Sequence, residues 1–107
     1  MNIIVIDDEP APLLTFASHI LDNAAVTANM FSLKVDEALE FARTHEHKAV
    51  FLDIKMPSIN GVELAEKFIE INPDVRIIFI TGYAQNIREI KRRVGKNLFA
   101  FCYKPYD

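Results

Sequence analysis

Five short runs dense in aliphatic and β-branched residues punctuate this chain, at residues 2–6, 26–31, 50–53, 75–80 and 98–103. Each has the length of a strand and is too short for a buried helix. Residues 2–6 read Asn-Ile-Ile-Val-Ile and residues 75–80 are almost unbroken apolar, whereas Thr27 and Asn29 dilute the second run. Strands without polar alternation are covered on both faces, which is the habit of parallel sheets. Stripes at helical spacing separate the runs. Leu13, Phe16, Ala17, Ile20 and Leu21 follow Pro10 and Pro12, which suit a helix start. Residues 36–44 turn Leu39, Ala42 and Phe41 inward. Residues 62–71 carry Val62, Ala65 and Ile69 on one stripe, with Leu64 and Phe68 beside it, and Pro73 ends them. Residues 57–61, Pro-Ser-Ile-Asn-Gly, are turn chemistry. Ile87, Ile90 and Val94 form a last stripe that stops at Gly95. Repeated β-α units predict an α/β domain with a parallel sheet, helices on both faces and right-handed crossovers.

The chain has 107 residues, enough for one domain with one core. A net charge of −3 argues against a general nucleic-acid or membrane surface, while leaving room for a local basic patch. Cys102 is the one cysteine, so no disulfide can form within the chain. That usage fits a reducing, cytoplasmic setting, with Cys102 itself a small buried hydrophobe. The N-terminus lacks the basic region of a signal peptide, and no stretch is long enough to span a membrane.

Acidic residues stand at the ends of two of these runs. Asp7 and Asp8 follow the first, and Asp53 closes the third. If those runs are neighbouring parallel strands, three carboxylates converge on one rim and raise one another's pKa. A hard divalent cation relieves the repulsion, and oxygen ligands of this kind suit magnesium. Thr81 and Lys104 follow the fourth and fifth runs. In open parallel sheets ligands sit outside the carboxyl ends of the strands, where all five residues fall. Taken singly, each has a plainer reading: a helix-start acidic pair, a loop aspartate, a capping threonine, a solvated lysine. Together on one rim they read as a site.

Asp-Asp-Glu after the first strand, Asp-Ile-Lys-Met-Pro-Ser-Ile-Asn-Gly at the third, Thr-Gly after the fourth and Lys-Pro after the fifth resemble the receiver domain of two-component response regulators. The resemblance runs from Met1 to Asp107. It implies a flavodoxin-like, CheY-like sheet of five parallel strands in the order 2-1-3-4-5, and a role in bacterial signal transduction. It further implies that Asp53 accepts a phosphoryl group from a sensor histidine kinase or phosphotransfer protein. Asp7, Asp8, Asp53 and the backbone carbonyl of Lys55 would hold Mg2+. Lys104 would pair with the phosphoryl oxygens and Thr81 would donate its hydroxyl to them. Such a protein is a phosphoacceptor with slow self-dephosphorylation rather than an enzyme turning over an external substrate. Physical chemistry supports the roles, since phosphoryl transfer needs an in-line nucleophile and neutralised equatorial oxygens.

The resemblance also implies a switch. Once phosphorylated, Asp53 would draw Thr81 inward, and Phe101 would rotate from exposed to buried; its plainer reading is an ordinary core phenylalanine. Lys55 and Tyr83 flank the site and would tune the lifetime of the phosphoryl group. Arg88, Lys91, Arg92, Arg93 and Lys96 crowd the fourth helix. They are either a solvated face or, with the fifth strand, the output surface for an output domain or an acidic partner. The chain ends at Asp107, where the family's fifth helix begins. Residues 1–107 are therefore expected to be a receiver domain cut short before that helix, with apolar area bared near the first and fifth strands and homodimerisation as one consequence. His19, His45 and His47 are expected at the surface. Two other readings compete. A phosphorylation-independent interaction module would not need the intact set Asp8, Asp53, Thr81 and Lys104. A magnesium phosphohydrolase needs a second acid two residues after its nucleophile, where Lys55 stands.

Overall fold

The structure is a computed structural model that describes residues 2–6, 27–31, 34–54, 60–81 and 87–103. Five strands form one sheet: β1 (Asn2–Ile6), β2 (Thr27–Met30), β3 (Ala49–Asp53), β4 (Arg76–Thr81) and β5 (Leu98–Tyr103). Their order is β2-β1-β3-β4-β5 and every pairing is parallel, which is the flavodoxin-like topology. Three helices are described: α1 (Val35–Thr44), α2 (Gly61–Ile71) and α3 (Ile87–Val94). The predicted first helix lies outside the described residues.

Alternation along the strands divides the core in two. Ile4, Ile6, Val50, Leu52, Ile77 and Phe79 point into the cluster that receives all three described helices. Ile3, Val5, Ala49, Phe51, Ile78, Ile80 and Cys102 form a second cluster on the opposite face. Both sets are buried, so the central strands have no solvent face, as their unbroken apolar composition requires. Among the described residues near β1 and β5, where apolar area is expected to be bared, Ile3, Val5 and Cys102 are buried, and Phe99 is the large hydrophobic exposed on β5, at 44%. Phe99 stands out because the register between β4 and β5 shifts at Ile77/Ile78, leaving it unpaired opposite β4. The Arg76 guanidinium covers its ring at 4.9 Å.

The helices follow from local chemistry. Asp36 and Glu37 open α1 and Arg43 closes it, each complementing the helix dipole. The side chain of Asn60 caps α2 by accepting from the Val62 amide at 2.7 Å. Leu64, Ala65 and Phe68 are fully buried, while Ile69 is only half-buried. The inward stripe of α2 is thus rotated from the expected Val62–Ala65–Ile69 line. Helix α3 buries Ile90 and Val94 and ends at Gly95, whose φ of 63° is the left-handed conformation that glycine tolerates. Asn97 follows in a short 3-10 turn and donates to the carbonyls of Pro73 and Val75, both at 2.8 Å.

Histidine 47 departs from expectation. It is 6% exposed rather than at the surface, its Nδ1 lies 3.0 Å from the carbonyl of His45, and its Nε2 has no hydrogen-bond partner. The chain re-enters the sheet at Ala49, two residues later, and the Asn72 side chain at the end of α2 donates to the His47 carbonyl at 3.1 Å. His45 is exposed as expected and stacks on Phe41 at 4.0 Å.

Candidate functional site

Because every pair of strands is parallel, all five carboxyl ends open on one rim. Asp53 closes β3 and Thr81 closes β4. Asp53 pairs in register with Ile80, so Thr81 is one step further along the neighbouring strand. Pairing continues past Asp53, where the Ile54 amide donates to the Ile80 carbonyl at 3.1 Å. The acidic residue is therefore locked into the sheet rather than carried on a loop. Asp53 is half-buried, and Thr81 is 6% exposed. A half-buried carboxylate beside a buried hydroxyl at the end of a rigid sheet is an arrangement suited to binding or attack.

Of the residues expected to form the site, the structure describes these two. Asp7, Asp8, Lys55 and Lys104 lie outside the described residues, as does Tyr83. In sequence, Asp7 follows Ile6 at the end of β1, and Lys104 follows Tyr103 at the end of β5. Both of those strands end on the rim that carries Asp53 and Thr81. Phe101 is half-buried on β5 and stacks on Phe79 of β4, with ring centroids 5.9 Å apart.

Sequence reading missed what holds Asp53 in place. After β3 the chain returns on itself, and the Gly61 amide donates to the Ile54 carbonyl at 3.0 Å. A Cβ at Gly61 would lie 2.5 Å from the backbone oxygen of Asp53 and 2.8 Å from the Cα of Ile54. No side chain fits there. The signal was present as Asn60-Gly61, a helix cap followed by a residue without a side chain, but it reads locally as a turn.

On α3 the cations are partly paired. Arg92 bonds Glu89 one turn away, and Arg93 reaches Glu66 on α2. The hydrogen bond from Arg92 holds the Glu89 carboxyl below the usual carboxylate range. Elsewhere, a cavity of about 760 Å³ opens at the opposite, amino-terminal edge of the sheet, lined by Thr44, His45, His47, Lys48 and Asp74 among others. It is a sheet's length from Asp53. Among the described residues, no three histidine, cysteine or acidic side chains gather as a metal site.

The family model for the response regulator receiver domain matches residues 3–107. The sensory transduction protein LytT of Enterococcus faecalis is 28% identical over the whole chain, which spans 43% of that protein. Relatives such as CpdR of Brucella abortus, 43% identical over 47 residues, are also matched over less than half of their own length, 39% in that case. A CheY-like receiver domain from Methanospirillum hungatei is 26% identical and superposes with a TM-score of 0.73, covering 99% of this chain and 82% of that one. A response regulator protein from Burkholderia pseudomallei, solved with a phosphorylated aspartic acid, calcium ion and citrate, is 23% identical with a TM-score of 0.70, over 99% and 61%. No described helix is long and apolar enough to cross a membrane.

Proposed function

This chain belongs to the response regulator receiver domain family, and from that premise we propose that it is a phosphorylation-activated switch whose acceptor is Asp53. The observation that carries this reading is the placement of Asp53 at the carboxyl end of a central, fully embedded strand, one register step from Thr81. A sensor histidine kinase or phosphotransfer protein would present a phosphohistidine at the rim. An oxygen of the Asp53 carboxylate attacks phosphorus in line; the new O–P bond forms as the P–N bond breaks, and the imidazole leaves. Lys104 neutralises the phosphoryl oxygens as a point charge, and the Thr81 hydroxyl donates to one of them.

Asp7, Asp8, Asp53 and the Lys55 carbonyl would hold Mg2+; an all-oxygen donor set suits that ion, and Asp53 ends β3 on the rim toward which the neighbouring β1 also runs. When bound, the cation adds charge neutralisation at the transferring group. The protein performs no turnover of an external substrate, and the acyl phosphate is lost slowly by hydrolysis. The domain works in the cytoplasm, where its kinase partner phosphorylates it. Its output passes through α3 and β5, to an output domain or a separate protein.

Intact mass after incubation with acetyl phosphate tests the reading. A single magnesium-dependent phosphoryl adduct, absent from Asp53→Ala, is the expected result. A folded chain that gains no adduct would instead be a phosphorylation-independent interaction module.

A further inference from the structure

Hydrogen bonds frame the cavity at the amino-terminal edge of the sheet and hold its walls to the strands. The side chain of Asn2, at the start of β1, donates to the Glu46 carbonyl at 2.9 Å, and that of Asn72, at the end of α2, donates to the His47 carbonyl at 3.1 Å. The Lys48 amide bonds the Asn2 carbonyl at 2.9 Å, and the Asp74 amide bonds the Asn72 side-chain oxygen at 3.2 Å. The segment between α1 and β3 is thereby tied both to β1 and to the turn before β4. The cavity's volume of about 760 Å³ falls within the range of small-molecule sites, about 300–1,000 Å³.

The carbonyls of Glu46, His47 and Lys48 are all engaged in this frame, the last by the Arg76 amide at 3.0 Å, so recognition falls to side chains. Glu46 and Asp74 bring negative charge to the lining, and Arg43 and Lys48 bring positive charge. Glu46, Lys48 and Asp74 line one space, yet none forms an ion pair with any described residue. Arg43 meets Glu40 at 3.4 Å, an exposed pair that solvent screens. His47 adds a buried acceptor. A carbonyl only accepts, so Nδ1 of the neutral ring, 3.0 Å from the His45 carbonyl, carries the proton, and Nε2 keeps a lone pair that no described residue answers.

We propose that this cavity is a ligand site separate from the Asp53 rim, and that it takes a small zwitterion of the amino-acid or dipeptide class. The ligand's ammonium group meets Glu46 and Asp74, and its carboxylate meets Lys48 and Arg43. Opposite charges that line one space without pairing are matched by a molecule that carries both signs. A ligand of one sign is repelled by half of the lining: inorganic phosphate or a nucleotide by Glu46 and Asp74, a polyamine by Arg43 and Lys48. A metal ion lacks its ligands, since no three histidine, cysteine or acidic side chains gather among the described residues. The N–H donors of an ammonium group also suit the lone pair of His47 Nε2. Walls already fixed by hydrogen bonds lower the ordering cost of binding. The length of β3, from Ala49 to Asp53, separates the cavity from the rim, so the inference stands whether or not Asp53 is phosphorylated.

Nitrogen-15 NMR titration of the whole chain with glycylglycine and with L-glutamine tests it. Either zwitterion should shift amides within residues 42–48 and 71–76 saturably, and the tighter of the two fixes the size of the ligand. N-acetylglycinamide, which carries neither charge, should leave those amides unmoved. Lys48→Gln and Asp74→Asn should each weaken glycylglycine about threefold to tenfold. Both positions are exposed, so circular dichroism should show an unchanged fold. Glycylglycinamide keeps the ammonium and loses the carboxylate, so Asp74→Asn should still weaken it while Lys48→Gln no longer does; a merely structural effect of Lys48→Gln would weaken both ligands alike. Three results would overturn the proposal: no saturable shift at these residues with either zwitterion, equal affinity of wild type and both variants for glycylglycine, or tighter binding of inorganic phosphate or spermidine than of both zwitterions.

Discussion

Gly61 and Asp53 meet through the backbone. The Gly61 amide bonds the Ile54 carbonyl at 3.0 Å, and the space a Cβ would take is filled by the Asp53 carbonyl oxygen, 2.5 Å away. The start of α2 is thereby packed directly onto the end of β3. The strand end cannot relax away, because Ile54 is also bonded to Ile80 of β4.

Gly61→Ala should disturb both stability and the site. The methyl group meets backbone atoms, which cannot swing aside as a side chain tip can. Overpacking of this kind costs about 1–3 kcal/mol, readable as a lower midpoint in urea unfolding. The same variant should take up phosphoryl groups from acetyl phosphate more slowly than wild type while folded. Wild-type stability in Gly61→Ala would show that α2 shifts freely against β3.

Asn97 should matter more than its place in a short turn suggests. It is buried, and its amide serves the carbonyls of Pro73 and Val75, both at 2.8 Å. Asn97→Ala leaves two carbonyls without that donor, at a cost of about 2 kcal/mol. Asn97→Asp should be worse, since a carboxylate offers those carbonyls no donor and adds a buried charge. Equal stabilities of the alanine and aspartate variants would show that water takes over the bonds.

Burial pushes the Cys102 thiol up to about 12, from an ordinary value of 9.0. Between those values the unfolded chain releases the proton and the folded chain keeps it. Stability from this group is therefore constant below pH 9 and falls as pH rises toward 12. Urea unfolding at pH 8 and at pH 10.5, compared with Cys102→Ala, isolates the effect from other titrating groups; wild type should lose more than the variant. The native thiol should also resist alkylation at pH 8 and react promptly once unfolded. Parallel pH curves for the two proteins would place the thiol in contact with solvent.

The sheet was legible in the sequence because continuous β-branched runs have few alternatives, and parallel pairing then forces residues at the ends of the runs onto one rim. Asp53 and Thr81 could be placed for that reason alone. What could not be read depends on pairs distant in the chain. Nothing near Asn97 announces Pro73 and Val75 as its acceptors, and nothing in Asn60-Gly61 announces that a methyl group would strike Asp53. His47 looked like a surface residue because its neighbours His45 and Glu46 are polar; its burial comes with the return of the chain into the sheet beside Asn72 at the end of α2. The exposure of Phe99 follows from a register shift that periodicity does not encode.

Helix α3 poses a question of magnitudes: whether its ion pair or its two buried side chains attach it. The Arg93–Glu66 pair is about a third exposed on one side and 42% on the other, so solvent screens it. Pairs of that exposure contribute about 0.2–1 kcal/mol. Ile90 and Val94 are 4% exposed each, and truncating a buried isoleucine to alanine costs about 2–5 kcal/mol. Ile90→Ala should therefore destabilise the protein several times more than Glu66→Gln. The two effects should also differ in salt: the Glu66→Gln penalty shrinks as ionic strength rises and the Ile90→Ala penalty does not. A double-mutant cycle of Glu66→Gln with Arg93→Gln gives the coupling directly. A coupling above about 2 kcal/mol would exceed what a screened pair supplies, and would make the α2–α3 bridge, rather than the two buried side chains, the chief attachment of α3.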